Sequence, residues 1–274
     1  AYLGDHTPYE KRGFYLAVIE LSWALSFILM VPLAGIILEK TLWNGPYIAL
    51  SITGAVATFL IWWLVPQDKP EQEEKVTVVA DIKKVLAFGP AVIAMLMGLS
   101  FILGNELVNV VFGVWLQDSY GLQIAALGAA SAVIGFSELG GEGIAAFLAD
   151  RIGKERSIAA GILLSSLSVI TLPLLGKSVT GVFIWLVLFY LSFEIVVISA
   201  LPLMTEIIPT ARATMMALFI AALSLGRAVG DVAGPRLYQG GILVNAVGCL
   251  ALNLLALFLL SRIKLPQHQK EKPS

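Results

Sequence analysis

Ionisable residues stand inside long apolar stretches of this 274-residue chain, where charge is costly and usually serves a function. Glu138 and Glu142 lie four positions apart and therefore share a helix face. Two carboxylates so close in a low dielectric do not both ionise easily, so the pair could bind and release a proton. Arg227 and Asp231 have the same spacing and could form an ion pair. Arg227 could also neutralise a glutamate or an anionic ligand.

The candidate residues for proton coupling or for a substrate cavity share this placement in apolar sequence. They are Glu138, Glu142, Glu194, Arg227, Asp231, Glu106 and Asn109. The alternative for each is a structural hydrogen bond or ion pair between helices. Trp23 and Tyr190 are also deep in apolar sequence and could touch a substrate, but core packing is the favoured role for both.

Glu138 lies near the middle of its apolar stretch, as do Glu194 and Arg227. It is about 15 residues into a helix that starts near residue 123, or roughly 22 Å along a bilayer core about 30 Å thick. An unpaired ionised carboxylate there is very costly. Glu138 must therefore be protonated, paired with a cation such as Arg227, or open to a water-filled cavity. Movement between these conditions would couple proton binding to a conformational change.

The composition of the chain indicates that the apolar stretches around these ionisable residues lie in a membrane. Hydrophobic residues make up 58% of the chain and charged residues 14%, and the mean hydropathy is +0.87. Stretches of about 20 apolar residues are typical of bilayer-spanning helices. Eight occur, at about 13–38, 46–65, 86–115, 123–149, 158–176, 180–204, 213–236 and 241–261. The first is too long for a signal peptide, and seven more follow it. The sequence thus predicts an all-α polytopic membrane protein.

The basic residues predict the orientation of these helices. Fourteen of the 18 lie in the segments on one side of the predicted membrane and three on the other. Because Lys and Arg are in excess in cytoplasmic loops, both ends of the chain are expected in the cytoplasm. The expected location is the cell membrane (plasma or inner membrane), which the chain crosses many times with the lipid bilayer as its surroundings.

A polar linker divides the predicted helices into two groups. We expect two helices in 1–65, a cytoplasmic linker in 66–85, six helices in 86–262 and a cytoplasmic tail in 263–274. A short phrase precedes the first helix of the chain and recurs between the sixth and seventh. Its residues are Asp5, Pro8, Lys11 and Arg12 in the first copy, and Glu206, Pro209 and Arg212 in the second.

The two copies indicate an internal repeat of six helices, with the phrase before the fifth helix of each half. The first four helices would then be missing, and the chain would be a fragment or one part of a split protein. The missing helices would be a partner, encoded by the same gene or on a separate chain. The alternative is a complete eight-helix protein in which the two phrases match by chance.

Two motifs carry a resemblance to a known family. The loop between the fourth and fifth predicted helices contains Asp150, Arg151, Gly153, Lys154 and Arg156, in an Asp-Arg-x-Gly-basic pattern. It resembles the signature loop of the major facilitator superfamily. The seventh helix carries Gly226, Gly230, Gly234 and Pro235, similar to a glycine-rich motif of the drug–proton antiporter branch, and the first helix keeps only Pro32 and Gly35 of that motif.

The resemblance implies an MFS-type helical bundle that is partial. The chain would hold helices five to twelve of twelve: two of the N-terminal bundle and a complete six-helix C-terminal bundle. The loop motif could hold the cytoplasmic side shut through ion pairs, or could act only as a topology signal. The glycine face permits close helix packing, and the alternative is a sliding surface.

The function expected from these features is secondary active transport of a small organic solute by alternating access, with coupling to protons. A sensor or scaffold without transport activity is the alternative. An intramembrane enzyme is less favoured, because no G-x-S-x-G or H-E-x-x-H motif occurs. The expected partners are the small-molecule substrate and protons, with no nucleic acid and no cofactor. Neither His6 and His268 nor the single Cys249 predicts a metal site.

Overall fold

The computed structural model describes residue 22 and residues 25–64 and 78–263. Within these ranges the regular structure is helical throughout. Seven helical segments are long and apolar enough to cross a membrane: Gly45–Leu64, Gly89–Tyr120, Ala126–Ala149, Lys154–Leu175, Val179–Ile207, Pro209–Tyr238 and Ile242–Leu260. They correspond to the last seven predicted stretches, which confirms the all-α polytopic class. The start of the first stretch lies outside the described residues.

The structure divides into two compact units, each of which we describe by itself: residues 1–76 with 121–136, and residues 77–120 with 137–274. The first unit contains a π-helical turn, Ser26–Met30, that runs into helix α1, Val31–Lys40. Helix α2, Gly45–Leu64, follows and buries none of its residues. The first half of helix α6, Ile124–Ile152, belongs to the same unit.

The second unit begins with helix α3, Val78–Ala87, and helix α4, Gly89–Asn109. Helix α5, Phe112–Tyr120, continues the same membrane span, and the unit resumes in the second half of α6. The remaining helices are α7, Lys154–Leu175; α8, Val179–Ile207; α9, Arg212–Tyr238; and α10, Ile242–Leu260. A 3-10 turn, Pro209–Ala211, joins α8 to α9.

Helix α3 begins inside the segment that the sequence predicted to be a polar linker. Its residues alternate between faces, so that Val85 is fully buried in the core while Val79 and Lys83 are exposed. A short amphipathic helix of this kind is stabilised by the surface on which it packs, which composition alone does not reveal. Phe88 then adopts an extended conformation, and the next helix begins at Gly89 with Pro90 in its first turn.

Helix α4 lies at the centre of the second unit, against α9 on one side and α10 on another. Helix α7 packs against α8 and α10. The outer face of α7 carries exposed apolar residues at helical spacing, namely Leu163, Leu167, Ile170 and Leu174. Because residues 158–176 include no charged residue, the exposed stripe fits a helix that faces lipid.

Candidate functional site

A polar cluster occupies the face of α4 near its carboxyl end. Glu106 and Asn109 are three residues apart, and the Asn109 amide Nδ2 donates to Glu106 Oε1 at 2.6 Å. Glu106 is 5% exposed, so its carboxylate is nearly enclosed by protein. A buried carboxylate needs hydrogen-bond donors or a cation beside it, and Asn109 supplies the first donor.

Tyr190 connects this cluster to α8. Its hydroxyl donates to Asn109 Oδ1, so the amide of Asn109 bridges the phenol and the carboxylate. The tyrosine ring is held edge-on by Phe112, at 6.3 Å between ring centroids, and by Phe189 at 5.4 Å. Tyr190 also interacts electrostatically with Glu138 of α6, so the cluster joins residues from three helices. The sequence favoured core packing for this tyrosine, and the structure gives its hydroxyl a polar partner as well.

Helix α9 supplies the cation. Arg227 Nε lies 3.4 Å from Glu106 Oε2, and the side chains are 48% and 7% exposed respectively. Asp231 interacts with the same carboxyl. A second ion pair within 4.0 Å joins Lys154 to Glu206. Arg227 therefore pairs across helices with Glu106, one of the glutamates that the sequence placed in the membrane.

Glycine explains how α9 comes so close to α4. A Cβ atom at Gly226 would lie 2.6 Å from the backbone oxygen of Leu99. One at Gly230 would lie 2.5 Å from the Cβ atom of Glu106, and one at Gly234 would overlap Val110. The three glycines thus form the contact face of α9, as small residues do where membrane helices pack closely.

A second close approach surrounds the other buried carboxylates. A Cβ atom at Gly141 would lie 2.7 Å from the Cβ atom of Glu194 and 2.9 Å from the backbone oxygen of Leu191, so α6 and α8 touch at this point. Glu138 and Glu194 are 3% and 5% exposed, and Glu142 is half-buried. Glu194 of α8 therefore contacts α6 at Gly141, a residue that lies between Glu138 and Glu142 in the sequence.

The loop motif and the second copy of the repeated phrase meet at one end of the unit. Lys154 Nζ donates to Glu206 Oε1 in an ion pair between the start of α7 and the end of α8. Gly153 precedes α7 with φ +86, a conformation that favours glycine. Arg156 lines the same cavity of about 370 Å³ as the ion pair. Arg151 lies over the ring of Phe147 at 4.4 Å.

The remaining predicted residues lie outside these clusters or outside the described residues. Pro209 begins the 3-10 turn, Arg212 is exposed at the start of α9, and Pro235 lies inside α9. Pro32 lies in α1, where it contacts Gly128, and Gly35 is on the same helix. The first copy of the phrase, Asp5 to Arg12, and the side chain of Asp150 lie outside the described residues.

Asn105 is a residue that the sequence reading missed. It is 3% exposed, and its amide Nδ2 has no hydrogen-bond partner in the described part of the chain. It directly precedes Glu106 and lies four residues before Asn109, on the same helix. An asparagine in an apolar stretch was a visible signal, but only the helix packing shows that it is buried beside the charged cluster.

Helices long enough to cross a bilayer and a buried charge cluster between them define a polytopic membrane protein. The sequence model of the Major Facilitator Superfamily matches residues 1–230 and 94–274, and the chain belongs to this family.

The chain is also similar in sequence to a named MFS-type transporter. Over 232 residues the chain is 27% identical to YceJ of Bacillus subtilis (strain 168), an uncharacterized MFS-type transporter. The match covers 83% of this chain and 58% of the relative, so the chain spans little more than half the length of that protein.

Proposed function

We propose that this chain forms part of a secondary active transporter that moves a small organic solute by alternating access and couples this movement to protons. Family membership supports transport. The observation that supports coupling is the ion pair between nearly enclosed Glu106 and half-exposed Arg227. A buried carboxylate that is neutralised by one partly exposed cation can link its protonation to a movement of that cation.

The coupling step follows from the charges in this cluster. Protonation of Glu106 removes its charge and frees the Arg227 guanidinium, which then pairs with Asp231 four residues along the helix or with an anionic group of the solute. Proton binding thereby favours opening of the Glu106–Arg227 pair. By thermodynamic linkage, opening of the pair favours proton binding to the same extent.

A second carboxyl extends this proposal. Glu138 interacts with Tyr190, whose hydroxyl bonds to the Asn109 amide that donates to Glu106. Two residues, Tyr190 and Asn109, thus lie between Glu138 and the Glu106–Arg227 pair. We assign it the role of a second proton site in the cluster, and we propose that Glu142 and Glu194 assist it, since Glu194 contacts α6 at Gly141.

The ion pair at the end of the unit supports a gate. Lys154 and Glu206 join the family's loop motif to the end of α8, and their separation would release that end of the bundle. In the orientation predicted from the basic residues, this end faces the cytoplasm and the protein lies in the cell membrane or inner membrane. The linker 66–85 would connect the two bundles, with the remaining helices supplied by the rest of the protein.

Solute-dependent proton movement tests the proposed function. The protein is reconstituted into liposomes that contain the pH-sensitive dye pyranine, and cationic, amphipathic, sugar and peptide solutes are added in turn. We expect at least one solute to change the internal pH, and a protonophore to abolish the change. Solute uptake without proton movement would contradict coupling, and the absence of any uptake would favour the sensor or scaffold alternative.

Cysteine labelling tests the proposed orientation. Ser119 and Glu155 are exposed at opposite ends of membrane spans, whereas Ser157 is buried with its hydroxyl against Ser199 and is unsuitable as a reporter. In intact cells, an impermeant thiol reagent should label Ser119→Cys and should label Glu155→Cys only after permeabilisation. The native Cys249 is buried and serves as a silent background. The reverse pattern would overturn the orientation.

A charge exchange tests the proposed gate. Lys154→Glu and Glu206→Lys each place like charges together, and each should change the initial rate of solute flux. Since both side chains are about one-third or more exposed, we expect about fivefold at most from either change. The double exchange restores an ion pair of opposite polarity and should return the rate towards that of the parent. A double variant no better than the singles would show that the pair does not act as a unit.

A further inference from the structure

Helix α3 has an outer face suited to a membrane surface. Val79 and Leu86 are 63% and 52% exposed, and the exposed Lys83 stands between them at helical spacing. The opposite face is anchored by Val85, which is fully buried. The helix directly precedes a membrane span, so it lies at the end of that span. Exposed apolar residues alternating with lysine are typical of helices that lie in the bilayer interface.

A cavity of about 360 Å³ opens beside this helix. Its walls are Lys84, Ala87 and Phe88 from the α3–α4 junction, and Ile207 and Ile208 from the end of α8. Apart from the lysine, every lining side chain is apolar. A cavity with a single cationic group on otherwise apolar walls suits a ligand with a hydrocarbon part and a negative group.

A hydrogen bond fixes the position of the Lys84 ammonium group. Lys84 Nζ donates to Thr210 Oγ1 at 2.7 Å, which ties α3 to the turn between α8 and α9. The exposed Arg212 follows two residues after Thr210, and Lys83 precedes Lys84. Of the nearby acidic residues, Asp81 is on α3 and Glu206 is already paired with Lys154. The local charge is therefore positive.

We propose that this cavity binds an anionic phospholipid of the adjoining leaflet. The lipid phosphate contacts the Lys84 ammonium and the Thr210 hydroxyl, and an acyl chain follows the apolar wall formed by Phe88 and Ile208. A lipid fits better than a soluble anion because the walls are apolar and the cavity lies at the end of the membrane spans. This binding site is independent of the solute and of the proposed coupling residues.

The consequence of such binding is mechanical. The lipid would contact the segment that leads into α4 and the end of α8 at the same time, and would fix α3 against the α8–α9 turn. A larger fraction of anionic lipid in the membrane would then stabilise the contact between α3 and the α8–α9 turn.

Lipid binding by the purified protein tests the proposal. Detergent-solubilised protein is titrated with phosphatidylglycerol and with phosphatidylcholine, and bound lipid is measured by native mass spectrometry. We expect phosphatidylglycerol to bind about fivefold more tightly, as one lysine near a phosphate provides. Lys84→Gln should remove this preference. Lys177→Gln, which removes an exposed lysine between α7 and α8 at the other membrane surface, should keep it.

A second variant separates the apolar wall from the charge. Ala87→Phe should fill part of the cavity and weaken binding of both lipids while leaving the lysine in place. All variants are first checked for an unchanged elution volume and helical content. Equal binding of the two lipids to the parent, or a preference that survives in Lys84→Gln, would overturn the proposal. Displacement of the lipid by glycerol phosphate at equal concentration would also overturn it, because the site would then take a soluble anion.

Discussion

Replacing Gly230 by leucine is expected to force α9 away from α4 and to destabilise the folded protein. Even the first added atom, Cβ, would lie 2.5 Å from Glu106 Cβ and 3.3 Å from the backbone oxygen of Leu103. Those atoms are fixed to the α4 backbone, so the overlap cannot be relieved by a side-chain rotation. Inserting a few extra methylene groups into a packed interior costs about 1–3 kcal/mol. A leucine at this position is a larger insertion, so we expect a larger loss of stability. We expect Tm in detergent to fall by about 5 °C or more.

Gly140→Leu provides the matched control for this change. Gly140 lies within α6, and a Cβ atom there has no neighbour within 4 Å among the residues that the structure describes. The same substitution at this position should leave Tm and the yield of monodisperse protein unchanged or slightly raised, because leucine is the better helix former. If the two variants have equal Tm values, the α4–α9 contact is not as close as the structure has it.

Glu106→Gln is expected to abolish proton-driven solute accumulation while downhill exchange remains measurable. Glutamine retains the shape of the side chain and an oxygen that accepts from Asn109, but it has no charge for Arg227 and no proton to release. We expect accumulation in response to an imposed pH gradient to fall at least about tenfold, which corresponds to about 1.4 kcal/mol of lost coupling. The measurement is flux of a solute identified by the proton assay, in liposomes with and without the gradient.

The control for this prediction is Asp118→Asn. Asp118 is exposed beyond the membrane core of its span and accepts a hydrogen bond from Tyr238 at 3.1 Å. Its replacement should leave accumulation unchanged. Glu138→Gln is measured in parallel, since the sequence favoured Glu138 as the coupling residue. Accumulation by Glu106→Gln equal to that of the parent would remove Glu106 from the coupling role.

The sequence predicted the helices well because hydrophobic length is a property of single segments. The spans from residue 45 to 260 follow from apolar runs of bilayer length, and the glycine spacing of α9 indicated a contact face before any partner was known. Helix α3 was not predicted, because its ten residues are mixed in polarity and depend on the surface under Val85. Short helices of this kind are stabilised by packing rather than by their own composition.

Pairs between residues of different helices could not be predicted from the sequence. Spacing identified Glu106 and Arg227 as ionisable residues in the membrane and offered Asp231, on the same helix, as a partner for Arg227, but it could not say which glutamate of another helix Arg227 would meet. The actual partner depends on the rotation of α9 about its axis and on the close approach that Gly230 permits. The Lys154–Glu206 pair joins residues 52 positions apart on different helices, so spacing along one helix could not indicate it either. Tyr190 was visible as a deep aromatic residue, but its hydrogen bond to Asn109 depends on the α4–α8 contact.

We propose that Glu106 binds and releases a proton inside the membrane span. Infrared spectroscopy tests this protonation directly and does not require a known solute. The protein in lipid is perfused with buffers of increasing pH, and the difference spectrum records the carbonyl stretch of protonated carboxyl groups. We predict a band that disappears on deprotonation in the parent and in Asp118→Asn, and that is missing from Glu106→Gln. A spectrum of Glu106→Gln identical to that of the parent would contradict the claim.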